Sequence, residues 1–165
     1  VCVWIGPEGD FTPEELEAIE ESSHKVLVFV PFTHTIELLK KTLDDNNITS
    51  EIINGKVPVN RRSDIVKQFQ ETDKPHVLII QPQAASHGLT LTAANTIIWY
   101  APVASVETYL QANARIDRPG QKNPMTIINI RGSDVETRLY NMLQGNINNH
   151  NKIIDLYRQE IEDGG

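Results

Sequence analysis

Short apolar runs alternate with helical patterns along most of this chain, and the alternation restricts its fold more than any other feature. The runs are continuously apolar, which is typical of parallel strands that helices cover on both faces. They predict strands over Val26–Val30, Glu51–Ile53, Val77–Gln81, Thr96–Tyr100 and Thr126–Ile130. Because helices separate the strands, the connections are βαβ crossovers. The sequence therefore predicts one α/β domain with a parallel β-sheet flanked by helices.

The segments between the strands have the apolar spacing of amphipathic helices. They predict helices near Thr35–Asn46, near Asn60–Gln70 with Asn60 as N-cap, and near Val106–Arg118, where Pro119 and Gly120 end the helix. Trp99 and Tyr100 end an apolar strand, and we expect both side chains in the core.

The two ends of the chain differ from its centre. Residues 1–23 contain seven acidic residues and no Lys or Arg, and residues 24–165 carry 15 acidic and 15 basic residues. The head predicts a strand over 1–5, a turn over 6–10 and a helix over 12–23 with Pro13 at its first position. In the tail, Ser133–Glu136 reads as a capping box that opens a helix, and a second helix is expected after a break over 144–152. We expect a head segment over 1–23, a domain over 24–132, and a helical extension of that domain over 133–165.

Composition excludes several classes of site. A chain of 165 residues suits one domain. Cys2 is the only cysteine, so the chain has no internal disulfide or cysteine-based zinc site. His87 lacks a second His or Cys at a ligand spacing, and no metal site is expected.

No apolar run approaches the ~20 residues of a membrane span, and no leader is visible. An intracellular location is expected, in the cytoplasm or at the nucleoid.

The stretch QANARIDRPGQ, over residues 111–121, carries the most chemical information. On a continuous helix Gln111, Arg115 and Arg118 share one face, because they are spaced by four and three residues. Guanidinium groups bind phosphate oxygens bidentately and stabilise charge on a transferred phosphoryl group. Alternatively, the two arginines offset the helix dipole and pair with Asp117.

This stretch resembles motif VI of the second motor domain of superfamily 2 helicases, closest to the Swi/Snf-type DNA translocases and their phage-encoded relatives. Three further segments resemble the family's motifs in the same order: KVLVFVPFT at 25–33, INGK at 53–56 with its following helix, and AASHGLTLTAAN at 84–95. Pro82 and Gln83 depart from the family pattern. The resemblance covers about Leu16 to Ile161 and implies a RecA-like architecture.

The resemblance also implies roles for individual residues. Arg115 and Arg118 are the expected catalytic arginine fingers, and Gly88 and Gln111 join them in contacting ATP. Nucleic-acid contacts are expected from Thr33, Gly55, Lys56, Ser86 and His87. ATP and Mg²⁺ would be shared with an N-terminal RecA-like motor domain, and the nucleic acid would be DNA, with duplex favoured over RNA. If the chain is phage-encoded, its location is the host cytoplasm.

Two alternative interpretations of the chain come from the motifs that it lacks and from a resemblance in its head. It has no G-x-x-x-x-G-K-[ST] phosphate loop and no D-E-x-[HD] pair for Mg²⁺, so we expect no ATP turnover from this chain alone. A non-catalytic or chimeric RecA-like scaffold is therefore a second hypothesis. The head IGPEGDFTPEE, over 5–15, is similar to a segment of SPOUT RNA methyltransferases. Three interpretations are open: a chimeric or engineered junction, an S-adenosylmethionine-binding remnant, and a Pro/Gly linker that matches by chance.

Overall fold

The protein, seen in a computed structural model, forms a six-stranded parallel β-sheet in the order β1-β6-β5-β2-β4-β3. The structure describes residues 2–4, 13–21, 24–146 and 148. The strands are β1 (Cys2–Trp4), β2 (Lys25–Phe29), β3 (Ser50–Ile53), β4 (Val77–Ile80), β5 (Ala94–Trp99) and β6 (Thr126–Arg131). The predicted parallel α/β fold is confirmed, and each of the five predicted strands lies within two residues of its expected bounds.

Helices connect the strands and cover both faces of the sheet. They are α1 (Pro13–Glu21), α2 (Thr33–Asp45), α3 (Val59–Glu71), a 3₁₀ helix (Pro82–His87), α4 (Val106–Asn113) and α5 over residues 134–146. Successive strand residues point to opposite faces, so Leu27 and Phe29 join one core cluster, and Val26 and Val28 the other. The first cluster lies against α3, α4 and α5, and the second against α1 and α2.

Helix boundaries show where sequence patterns misplace an end. Helix α3 begins at Val59 with Pro58 as its N-cap and no side-chain cap, so the prediction of Asn60 as the cap is wrong. The Asn60 side chain instead accepts from the backbone N–H of Arg61 at 2.9 Å. Proline suits this boundary because its ring fixes φ and because it has no backbone N–H that would need an acceptor.

The head of the chain is joined to the sheet. Strand β1 pairs with β6 in parallel, with Cys2 opposite Asn129 and Trp4 opposite Arg131. Ile19 of α1 is buried, and its carbonyl lies 2.9 Å from His76 Nε2, before β4. Helix α1 begins at Pro13, as predicted. The expected turn over 6–10 lies outside the described residues.

The tail begins with a modified cap. The Glu136 backbone N–H donates to Ser133 Oγ at 3.2 Å, as a capping box requires, but the Glu136 carboxylate accepts from Gly132 N–H at 2.6 Å. Helix α5 continues to residue 146. The expected second tail helix lies outside the described part of the chain. None of the helices in that part combines the length and hydropathy that crossing a bilayer demands.

Candidate functional site

Helix α4 ends at Asn113, so the prediction of a helix to Arg118 is wrong. The chain leaves the helix six residues before Pro119, so the missing N–H of that proline does not set the end of α4. The Arg115 carbonyl accepts from the backbone N–H of Leu91 at 3.0 Å. The two candidate arginines therefore lie after α4 on residues 114–118, called the arginine turn below. This turn is hydrogen-bonded to the segment that leads into β5.

Arg115 is buried, although it carries a full charge. Arg115 is 6% exposed, and its Nε has no hydrogen-bond partner among the residues that the structure describes. Burial, and to a smaller extent the neighbouring charge of Arg118, lower the pKa of the Arg115 guanidinium. The described ion pairs are Lys40–Asp44 and Arg61–Glu51, so the alternative in which the arginines pair with Asp117 is not found in the described part of the structure.

Arg118 is half-buried and held by neutral acceptors. Its Nη1 donates to Thr90 Oγ1 at 3.1 Å, and its Nε donates to the carbonyl of Ala114 at 3.3 Å. Neither acceptor neutralises the guanidinium charge. Two uncompensated cations therefore lie on one turn, which is the electrostatic arrangement that an incoming phosphate requires.

The hydrogen bonds of the described residues do not join Gln111 or Gly88 to these guanidinium groups. Gln111 Nε2 donates to Glu107 Oε1 at 3.0 Å, one turn earlier on α4. Gly88 ends the 3₁₀ helix with φ of 75°, and an added Cβ would meet nothing within 4 Å. Glycine is favoured there by the backbone angle, not by crowding from this chain.

The candidate nucleic-acid residues follow three neighbouring strands. Thr33, after β2, is the exposed first residue of α2, and the exposed Gly55 and Lys56 lie in the turn after β3. Ser86 and His87 end the 3₁₀ helix after β4; their side chains lie outside the described part. Because β2, β4 and β3 are adjacent and parallel, these loops lie along one edge of the sheet. The structure places these loops near one another, and their role in nucleic-acid binding stays a prediction.

Side chains that the sequence reading had not assigned hold the Gly55–Lys56 turn in place. Arg62 Nε donates to the Val57 carbonyl at 2.8 Å, and its Nη2 donates to the Asn54 carbonyl at 3.0 Å. Gln81 Oε1 accepts from the Gly55 backbone N–H at 3.4 Å. The only sequence signal was the position of an arginine shortly after the turn, which fitted a solvated face equally well.

The segment that carries Thr90 is fixed from its other side by α3. Gln70 Oε1 accepts from the backbone N–H of Ala93 at 2.8 Å, and Gln70 Nε2 donates to Thr92 Oγ1 at 3.1 Å. The arginine turn contacts this segment as well, through Leu91 and Thr90. The segment from 90 to 93 is thus bonded to both α3 and the arginine turn.

An aromatic cluster sets α4 against the sheet. The ring of Trp99 stacks on Phe29 with centroids 4.7 Å apart and lies 4.8 Å from Tyr109. Trp99 Nε1 donates to Asn113 Oδ1 at 2.9 Å, at the last residue of α4. The predicted core role of Trp99 and Tyr100 is confirmed, since both are buried.

A metal site was not expected, and the described residues contain no group of three or more His, Cys, Asp or Glu side chains that could hold a metal ion.

Comparison with known proteins places this geometry in a family. A model of the "Helicase conserved C-terminal domain" matches residues 11–120. The chain is 30% identical to "Protein CHROMATIN REMODELING 19" of Arabidopsis thaliana over 77% of its own length and 17% of that protein. It is 30% identical to "ATP-dependent helicase fft2" of Schizosaccharomyces pombe over 71% of its length and 9% of that protein. The chain thus spans a small part of the curated relatives it matches.

Two solved structures have a similar fold. The C-terminal part of the Fun30 ATPase domain superposes with a TM-score of 0.71 and 25% identity, over 76% of this chain and 40% of that one. The C-terminal domain of the DEAD-box protein Dbp5, at 18% identity, gives a TM-score of 0.69 over 80% of this chain and 75% of that one, and so supports the fold. The methyltransferase resemblance of the head gains no support from these proteins, and the family match begins inside that segment. The chain belongs to the helicase conserved C-terminal domain family, with relatives among the Swi/Snf-type ATP-dependent helicases.

Proposed function

We propose that this chain is the second motor domain of an ATP-dependent DNA helicase or translocase, in which Arg115 and Arg118 contact ATP held by a first motor domain. The observation that carries the proposal is the arginine turn. Within the described parts of the chain, both guanidinium groups lie on it without a carboxylate partner, and the Nε of Arg115 is buried without an acceptor. A buried, unsatisfied donor costs free energy that a bound phosphate would recover.

The remaining nucleotide contacts follow from the division of labour between two such domains. The first domain would supply the phosphate loop and the Mg²⁺ ligands, which this sequence lacks. Gly88 would allow the backbone to approach the nucleotide, and Gln111 would support that contact. The bond to Glu107 uses one N–H of the Gln111 amide, which leaves its second N–H and its Oε1 for that contact.

Nucleic acid would bind along the edge that Thr33, Gly55, Lys56, Ser86 and His87 share. Backbone amides, hydroxyl groups and a lysine ammonium suit phosphate oxygens, and such contacts are independent of sequence. We favour duplex DNA because relatives of this chain are named as chromatin-remodelling and DNA-binding helicases. Such contacts serve a motor that steps along any sequence.

The test is ATP turnover by the complete protein that carries this domain, with Arg115→Ala and Arg118→Ala measured separately. We expect each variant to lose turnover by about 10³-fold, with an unchanged circular dichroism spectrum. Arg138→Ala, an exposed arginine on α5, is the matched control and should retain turnover. Normal turnover in both finger variants would overturn the assignment. A complete protein that has a first motor domain and still shows no nucleic-acid-stimulated turnover would favour the scaffold hypothesis.

A further inference from the structure

We propose that Thr90 is a positioning residue that holds the guanidinium of Arg118 in place for the nucleotide; this inference rests on the proposed function. Thr90 Oγ1 accepts from Arg118 Nη1 at 3.1 Å, and the Ala114 carbonyl accepts from Arg118 Nε at 3.3 Å. Two bonds to different nitrogens of a planar group fix both its position and its orientation.

The backbone holds Thr90 at this place independently of its side chain. Gly88 turns the chain with a positive φ, and Leu91, which is fully buried, donates its N–H to the Arg115 carbonyl. The contact between Gln70 and Ala93 fixes the following residues. Thr90 itself is exposed, so replacing its hydroxyl group leaves the core intact.

A hydroxyl group suits this task better than a carboxylate would. It restricts the long arginine side chain and leaves its positive charge available. A carboxylate would hold the arginine equally well but would compete with phosphate for it. Arg115 needs no such contact, because burial already restricts its side chain.

The experiment measures kcat and KM for ATP in the complete protein at saturating nucleic acid, for Thr90→Val, Thr90→Ala and Thr90→Ser. The loss of one hydrogen bond should lower kcat by about 3- to 10-fold in the Val and Ala variants, with KM within about twofold. Thr90→Ser retains the hydroxyl group and should retain kcat. This difference between Ser and Val separates positioning from a merely structural role of the side chain.

Arg118→Ala, measured in parallel, separates failure of this inference from failure of the proposed function. Normal turnover in Arg118→Ala would overturn both. A large loss in Arg118→Ala together with wild-type kcat in Thr90→Val would overturn the positioning role alone. A raised KM with unchanged kcat in Thr90→Val would also overturn it, because that result indicates direct contact between the hydroxyl group and ATP.

Discussion

Three arginines of this domain have guanidinium groups in three different environments. Arg62 donates to two backbone carbonyls, and Arg118 donates to one hydroxyl group and one carbonyl. The Nε of the buried Arg115 has no acceptor in the part of the chain that the structure describes. All three carry the same charge, so it is the surrounding acceptors that separate their tasks. Arg62 is engaged with its own chain, and Arg115 has the greatest capacity left for a ligand.

At the scale of single residues, we predict that Arg62 acts on nucleic-acid binding through the turn it holds. Arg62→Gln removes both bonds to the carbonyls of Asn54 and Val57, so the Gly55–Lys56 turn loses its fixed shape. We expect the affinity of the complete protein for duplex DNA to fall by about 1 kcal/mol, or about fivefold. Fluorescence anisotropy with labelled DNA measures this change.

Arg62→Lys is the matched variant, because it keeps the charge but loses the planar fork whose Nε and Nη2 reach the Val57 and Asn54 carbonyls. It should lose as much affinity as Arg62→Gln. If Arg62→Lys binds as tightly as the wild type, the side chain acts through its charge on DNA and not through the turn. Arg61→Gln tests a neighbouring exposed arginine, whose described ion pair with Glu51 is 3.7 Å long.

At the scale of secondary-structure elements, α3 is attached to its surroundings at both ends. Arg62 in its first turn bonds the loop after β3, and Gln70 in its last turn bonds the segment before β5. Lys25 of β2 donates to the Phe69 carbonyl at 2.5 Å and lies 4.6 Å from the centre of the Phe69 ring. Helix α3 therefore links one candidate nucleic-acid loop to the segment that contacts the arginine turn.

We predict that Gln70→Leu destabilises the protein, because it leaves the partly buried N–H of Ala93 without an acceptor. The expected loss in the free energy of unfolding is about 1–3 kcal/mol, measured by urea denaturation. Gln68→Leu changes an exposed glutamine on the same helix and should stay within about 0.5 kcal/mol of the wild type. Equal losses in both variants would show that the effect comes from the helix surface and not from the contact with Ala93.

The elements differ in how far the sequence could predict them. The strands were predictable because continuous burial leaves a local signature, as in Val77–Ile80. The end of α4 was not predictable, because the residues after Asn113 form a turn whose Arg115 carbonyl bonds the distant Leu91, and no local pattern shows that contact. The environments of Arg62 and Arg118 likewise depend on carbonyls and hydroxyl groups that only the folded chain brings near.

At the scale of the whole molecule, the sheet separates two hydrophobic cores that support different helices. The core against α3, α4 and α5 contains Trp99 and Tyr109 and supports the helix that ends at the arginine turn. The core against α1 and α2 contains Ile36 and Leu39 and supports the helix that begins at Thr33. The candidate nucleic-acid loops lie along an edge of the sheet, where both cores support them.

Charge is also distributed unevenly over the whole chain, and this leads to a prediction about nucleic-acid binding. The formal net charge is −7, so attraction to phosphate must come from local cations such as the exposed Lys56, not from the overall field. If Lys56 contacts one phosphate, Lys56→Gln should reduce the slope of log K against log salt concentration by about 0.9 on duplex DNA. Titrations of the complete protein between low and moderate salt measure the slope.

Lys41→Gln, which removes an exposed charge from α2, should leave the slope unchanged. An unchanged slope in Lys56→Gln would remove this residue from the interface, and equal changes in both variants would mean that only the total charge matters.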